Sequence, residues 1–176
     1  GALLVIAGVG AVGIVLGRRL IETAVAWNPM LRRYAVAASA MLAWALLATP
    51  AWVADPVDPA GTVGLPGTEH LLLFGVVGFV VAGTLYHVVP FIVWVDRYSD
   101  RLGLEPVPMI DDLYRDRLAR IDLAALSTGA TALVLAEWFR ASGWGSDPVR
   151  WTIALGGVAS AVGFAIFAAH LGTGLA

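Results

Sequence analysis

Apolar and polar positions fall along this chain in long blocks, and the blocks set the elements. The clearest runs from His70 to Val95, HLLLFGVVGFVVAGTLYHVVPFIVWV, twenty-six residues without Asp, Glu, Lys or Arg. As a helix rising ~1.5 Å per residue it is about 39 Å long, enough for a hydrocarbon core of roughly 30 Å. Lipid offers a backbone no hydrogen-bonding partner, so the stretch is expected to be helical. Comparable blocks at 2–17, 34–54, 121–139 and 151–175 predict further spans, the fourth weakened by Asp122 and Glu137 near its ends. The fold class expected is all-α: a polytopic transmembrane helical bundle of about five spans, one domain over 1–176.

Between the spans the pattern changes. Arg18 to Arg33 is a polar connection broken at Pro29, and Pro50 is expected to kink or end the second span. DPVDPAGTVGLPGTE, from Asp55 to Glu69, reads as an irregular connection. In MIDDLYRDRLARI, which follows Pro106 and Pro108, Ile110, Leu113, Tyr114, Leu118 and Ile121 recur at helical spacing. Asp111 and Asp112 lie in its first turn and Arg117 and Arg120 in its last, as a helix dipole favours. A short interfacial helix is predicted there.

Composition narrows the reading. The chain is 59% hydrophobic and 14% charged, with a mean hydropathy of +0.81, so a lipid bilayer is its first partner. A net charge of −2 gives no basic surplus for nucleic acid. Without cysteine, disulfides, iron–sulfur clusters and thiolate metal sites are excluded. The chain is apolar from its first residues, without a starting Met or the basic flank of a signal peptide. It is expected to be the C-terminal part of a longer membrane protein, partnered by missing N-terminal helices or by another subunit.

Gly8, Gly10 and Gly13 spell G-x-G-x-x-G, the turn that cradles a pyrophosphate in dinucleotide-binding folds. Such a fold also needs an acidic residue about 20 positions on and strands alternating with helices. Glu22 comes too early, and the remaining chain is membrane-length runs. The glycines are therefore read as a helix-packing face, with Gly13 and Gly17 as G-x-x-x-G.

Arginine counts give an orientation. The connections 18–33 and 96–120 carry nine arginines, whereas 55–69 and 140–150 carry two. Under the positive-inside rule the first pair is cytoplasmic and the chain starts outside, in a cell membrane. Trp52, Trp138, Trp144 and Trp151 then mark one interface and Trp27 and Trp94 the other.

Three histidines carry the candidate chemistry. Seventeen residues of helix separate His70 from His87, about 25 Å, so they cannot share one metal. His87 and His170 lie toward the same end of two spans running the same way, the arrangement that bis-His haem ligation requires. Each also has an ordinary reading, as an interfacial residue or as a donor to a neighbouring carbonyl. Thr84 and Tyr86 read as interhelical hydrogen-bonding groups.

His70, Phe74, Gly75, Gly83 and Pro90 follow H-x-x-x-F-G, then Gly eight further and Pro seven further. This pattern resembles the histidine-bearing helix of the nitric-oxide-response haem- and copper-binding membrane proteins, relatives in architecture of the haem–copper oxidase catalytic subunit. GTLYHVVPFIVW, RYSDRLG, VPMIDDLY and RLAR also resemble the C-terminal half of polytopic oxidase-like proteins of uncharacterised function, over Arg32 to Asp122. The resemblance implies haem and/or copper as cofactor, His70 as metal ligand, and Tyr86 and His87 as ligand, hydrogen-bond or proton-path residues. It further implies respiratory electron transfer or nitric oxide metabolism. Thr68 stands where that family's helix opens with a first histidine, and no adjacent His-His pair occurs. A complete catalytic metal centre is thus not expected within this chain; an enzyme here would be a membrane oxidoreductase acting with the missing part. The alternative reading is a non-enzymatic membrane carrier or assembly component.

Overall fold

The computed structural model describes residues 1–55, 57 and 65–175, with the side chains of 111 and 173–175 left aside. It is built from α1 (Ala2–Glu22), α2 (Pro29–Ala54), a long helix α3 over 68–98, α4 (Asp116–Ala141) and α5 (Ser146–Leu175). Five helices are long and apolar enough to cross a membrane, and no strand occurs among the described residues. The chain is an all-α bundle of multi-pass type. Exposed Leu4, Ile14, Leu46, Ile92 and Val158 give its outer surface the apolar character that lipid requires.

Each helix begins and ends for local reasons. Asn28 Oδ1 accepts the Leu31 N–H at 3.0 Å and Pro29 takes the first helical position of α2, where its missing N–H costs nothing. Pro29 therefore starts a helix instead of merely breaking a connection. Pro50 does not end α2, which runs one more turn to Ala54; the ring removes the single bond that an N–H at 50 would make to the Leu46 carbonyl. α4 closes with Gly143 at φ 71°, and Trp144 N–H reaches Phe139 O at 3.0 Å while Gly143 N–H reaches Arg140 O at 3.2 Å. That is a Schellman motif, completed by Trp144 stacked on Phe139 at 4.5 Å. It returns the chain at once into α5.

Small residues set the helix spacings. A Cβ on Gly13 would lie 3.0 Å from Met41 Cβ, and one on Gly10 3.4 Å from Ala45 Cβ, whereas Gly8 and Gly17 face open space. The G-x-G-x-x-G stretch is thus helix, and its packing pair is Gly10 with Gly13, not Gly13 with Gly17. A Cβ on Gly75 would stand 2.9 Å from Ala40 Cβ and one on Gly83 3.0 Å from the Tyr34 ring, so the two glycines bring α3 close onto α2. Gly129, Gly156 and Gly163 do the same between α4 and α5, where a Cβ on Gly163 would meet the Leu126 backbone N at 3.0 Å.

α3 is irregular along its length. Thr68–His70 is α-helical, Leu71–Gly78 makes π-helical turns, and Phe79–Tyr98 is α-helical again with Pro90 inside. The predicted interfacial helix is not formed. Only Ile110–Leu113 makes a 3-10 turn, and Asp116 onward already belongs to α4. Its apolar residues have other work: Leu113 and Tyr114 line a small cleft together with Val89, Pro90 and Val93 of α3, Tyr114 meets the Tyr86 ring, and Trp94 Nε1 donates to Pro108 O at 2.7 Å. The segment is a strap across one end of the bundle.

Candidate functional site

The strap lies over a charged cluster in an otherwise apolar bundle. Arg33, one turn into α2, and Asp122, in the second turn of α4, are both fully buried. Their side chains form a direct ion pair across 89 residues of sequence. The Arg33 guanidinium also donates to Pro29 O at 2.9 Å and to Ala119 O at 3.1 Å. It lies 3.9 Å from the centre of the Tyr86 ring, a cation–π contact. Gly83, one turn before Tyr86, leaves room for the Arg33 Cβ 3.2 Å from where its own would stand.

The Tyr86 hydroxyl connects this pair to α5. It donates to Asp122 Oδ2 at 2.5 Å and stands 2.9 Å from His170 Nδ1. His170 is itself buried, 6% exposed, and its Nε2 lies 2.8 Å from the Arg115 backbone nitrogen. A backbone N–H can only donate, so Nε2 is the acceptor and the ring proton sits on Nδ1. The chain of bonds then has one direction: His170 Nδ1–H to Tyr86 oxygen, Tyr86 O–H to the Asp122 carboxylate, with Arg33 balancing the charge. Tyr114 of the strap and Phe167 of α5 close over the Tyr86 ring edge-on, at 6.3 and 5.5 Å.

Such a cluster is expensive away from water unless each charge is paired and hydrogen-bonded, and a charged residue inside a membrane helix is functional by default. Here four helices and the strap contribute to a single buried set.

The histidines singled out from the sequence separate into three environments. His170 joins the buried cluster and commits both ring nitrogens to hydrogen bonds. His87 follows Tyr86 on α3, is turned about 100° away from it, is exposed, and stacks on Phe91 at 6.5 Å. The residue of α3 that meets His170 is Tyr86. At the opposite end of α3, half-buried His70 has Nε2 at 3.9 Å from Glu137 Oε1, and Arg140 pairs with that same oxygen at 2.8 Å. Gly67 docks this end: its φ is 86°, and a Cβ there would stand 2.9 Å from Val134 O. Thr84 is an interhelical group as expected, 2.9 Å from the Tyr34 hydroxyl.

A haem or copper ion needs several converging donors. Among the described residues no three His, Cys, Asp or Glu side chains gather as a metal set. His70 and Glu137 supply one imidazole and one carboxylate from two helices, which fits one side of a coordination sphere and no more.

Reading the sequence missed Arg33, Asp122, Glu137 and the Arg115 N–H. The available signal was placement: Asp122 interrupts an apolar helical face, and Arg33 follows the Asn28-Pro29 cap by a turn, inside the helix instead of before it. No family model, curated protein or solved structure matches the chain.

Proposed function

We propose that this chain is the helical bundle of a proton-coupled membrane redox protein of haem–copper oxidase-like type. The observation that carries the reading is the Tyr86 hydroxyl, bonded at once to buried Asp122 and buried His170. A proton taken up at His170 Nε2 lets Nδ1 give its proton to the Tyr86 oxygen while Tyr86 passes its own to Asp122 Oδ2. Tyrosine is regenerated, the imidazole ends neutral with its proton on the other nitrogen, and one proton has moved inward. The bond from Arg115 N–H must release for Nε2 to receive it, which makes the strap part of the relay. By the arginine count this end faces the cytoplasm.

At the opposite end His70 would offer an imidazole to a haem or copper ion whose other ligands would come from outside the described residues. Glu137, 3.9 Å from Nε2 and paired with Arg140, would add a negative charge beside the ring without a hydrogen bond to it. The bound group would supply the electron-accepting centre; this chain would supply one ligand and a separate proton store. His87 is open to a further helix or to lipid.

Infrared spectroscopy on the purified full-length protein tests the relay. Acidification should raise a protonated carboxyl band that is absent in Asp122→Asn and delayed or lost in Tyr86→Phe. An unchanged band in Tyr86→Phe sinks the relay. For the metal part, haem absorbance and copper per chain should fall at least ~10-fold in His70→Leu; a colourless, copper-free wild type would instead favour the carrier or assembly reading, in which the Arg33–Asp122 pair is a static lock.

A further inference from the structure

A cleft of about 270 Å³ opens beside the buried cluster, between the start of α4 and the last turns of α5. Leu118, Ile166 and Ala169 make its apolar walls, His170 its floor, and Arg115 its only charged lining residue. Most other arginines at this end are engaged: Arg18 and Arg19 with Glu22, Arg32 and Arg120 with Asp116, Arg33 with Asp122 and Arg101 with Glu105, and Arg97 also has a partner. The exposed side chains of Arg115 and, two residues on, Arg117 have no ion pair among the described residues.

We propose that this cleft binds one anionic phospholipid, its headgroup phosphate on the Arg115 guanidinium and its acyl chain along Leu118, Ile166 and Ala169. Three observations favour a lipid over other occupants. Arg115 immediately precedes a membrane-length helix, which puts its charge at headgroup level. Apolar walls below a cation match an amphiphile, whereas a free anion gains nothing from them. A guanidinium without an ion pair among the described residues, beside a hydrophobic cleft, is the charge complement of a phosphate, and basic pockets between membrane helices take anionic lipids in this way. The inference goes beyond the redox reading and does not depend on it; what it adds is a lipid headgroup at the mouth of the His170 end.

The test uses full-length protein in neutral detergent, with phosphatidylglycerol, phosphatidylcholine or sodium phosphate added. Lipid retained per chain is read by native mass spectrometry, and unfolding is followed by tryptophan fluorescence. Phosphatidylglycerol should be retained in preference to phosphatidylcholine and should raise the midpoint. Arg115→Gln should weaken its binding roughly fivefold, about one basic side chain's worth at a membrane surface, Arg115→Lys should restore most of it, and Arg150→Gln at the far end should change nothing. Equal retention of the two lipids by wild type overturns the proposal, a result that needs no variant to fold. So does equal phosphatidylglycerol binding by wild type and Arg115→Gln, or a full stabilisation by sodium phosphate alone, which would identify a free-anion site.

Discussion

The two ends of the bundle hold the same chemical set, an arginine, a carboxylate and a histidine, in opposite surroundings. At the strap end Arg33 and Asp122 have no exposed side-chain surface and reach His170 through Tyr86. At the far end Arg140 is 60% exposed, Glu137 18% and His70 29%, and the His70–Glu137 separation of 3.9 Å is beyond a hydrogen bond. Water can replace any partner in the second trio and none in the first. Burial, more than residue type, therefore decides whether three ionisable groups act as one unit or as neighbours.

The largest expected effect is on the dry trio. Removing one member of a buried pair leaves an uncompensated charge and costs about 3–5 kcal/mol, whereas replacing both with apolar residues is often neutral or stabilising. Arg33→Met or Asp122→Leu alone should each destabilise strongly, and the double variant should recover most of the loss. Unfolding in mixed detergent micelles measures it. A double variant as unstable as either single one would mean that the pair's bonds to Tyr86, Pro29 and Ala119 matter more than its charge balance.

Tyr86→Phe comes next. The substitution keeps the ring under Arg33 and deletes the hydroxyl, so Asp122 Oδ2 and His170 Nδ1 lose their shared partner. An unsatisfied buried group costs about 1–3 kcal/mol. If the loss is no larger than that for Tyr34→Phe, whose hydroxyl meets only exposed Thr84, water reaches the cluster and the contrast between the ends fails.

A smaller effect is expected from Trp94→Phe, which deletes the indole bond to Pro108 O that holds the strap to α3. A net contribution of about 0.5–1.5 kcal/mol is ordinary for one such bond. Hydrogen exchange at the Arg115 amide should accelerate while exchange in the middle of α4 stays the same. Equal acceleration at both places would show that the strap is not a separate unit.

The architecture was legible because lipid leaves a helix few alternatives: each of the five apolar blocks falls inside an observed helix, though the helices start up to five residues earlier. The earlier start of α2 is what hides Arg33. By pattern Arg33 reads as the end of a polar connection and Asp122 as a weakness of its span, whereas each is the paired charge that makes the other tolerable. Nothing local encodes a contact across 89 residues. The interfacial helix failed for a different reason. Its helical spacing is real, but Tyr114 and Leu113 find a better apolar surface on α3 than a lone helix finds in the headgroups. Histidine spacing paired His87 with His170 by depth alone, and helix rotation gave that contact to Tyr86.

Glu137→Gln should have the smallest effect, and its size decides how the far end is understood. Arg140 is mostly in water, so its pair with Glu137 is screened, and exposed pairs of this kind contribute about 0–1 kcal/mol. The amide keeps the shape of the carboxylate and its packing against Gly67, and changes only the charge and one acceptor atom. Raising salt from 0.1 to 1 M shortens the Debye length from about 10 to about 3 Å, so the difference between wild type and Glu137→Gln should shrink further, while the penalty for Asp122→Leu should persist. A stability loss in Glu137→Gln approaching that of Asp122→Leu, insensitive to salt, would mean that the far trio is also dry in the assembled protein. Something outside the described residues would then cover His70, and Glu137 would belong to a closed site instead of a solvated rim.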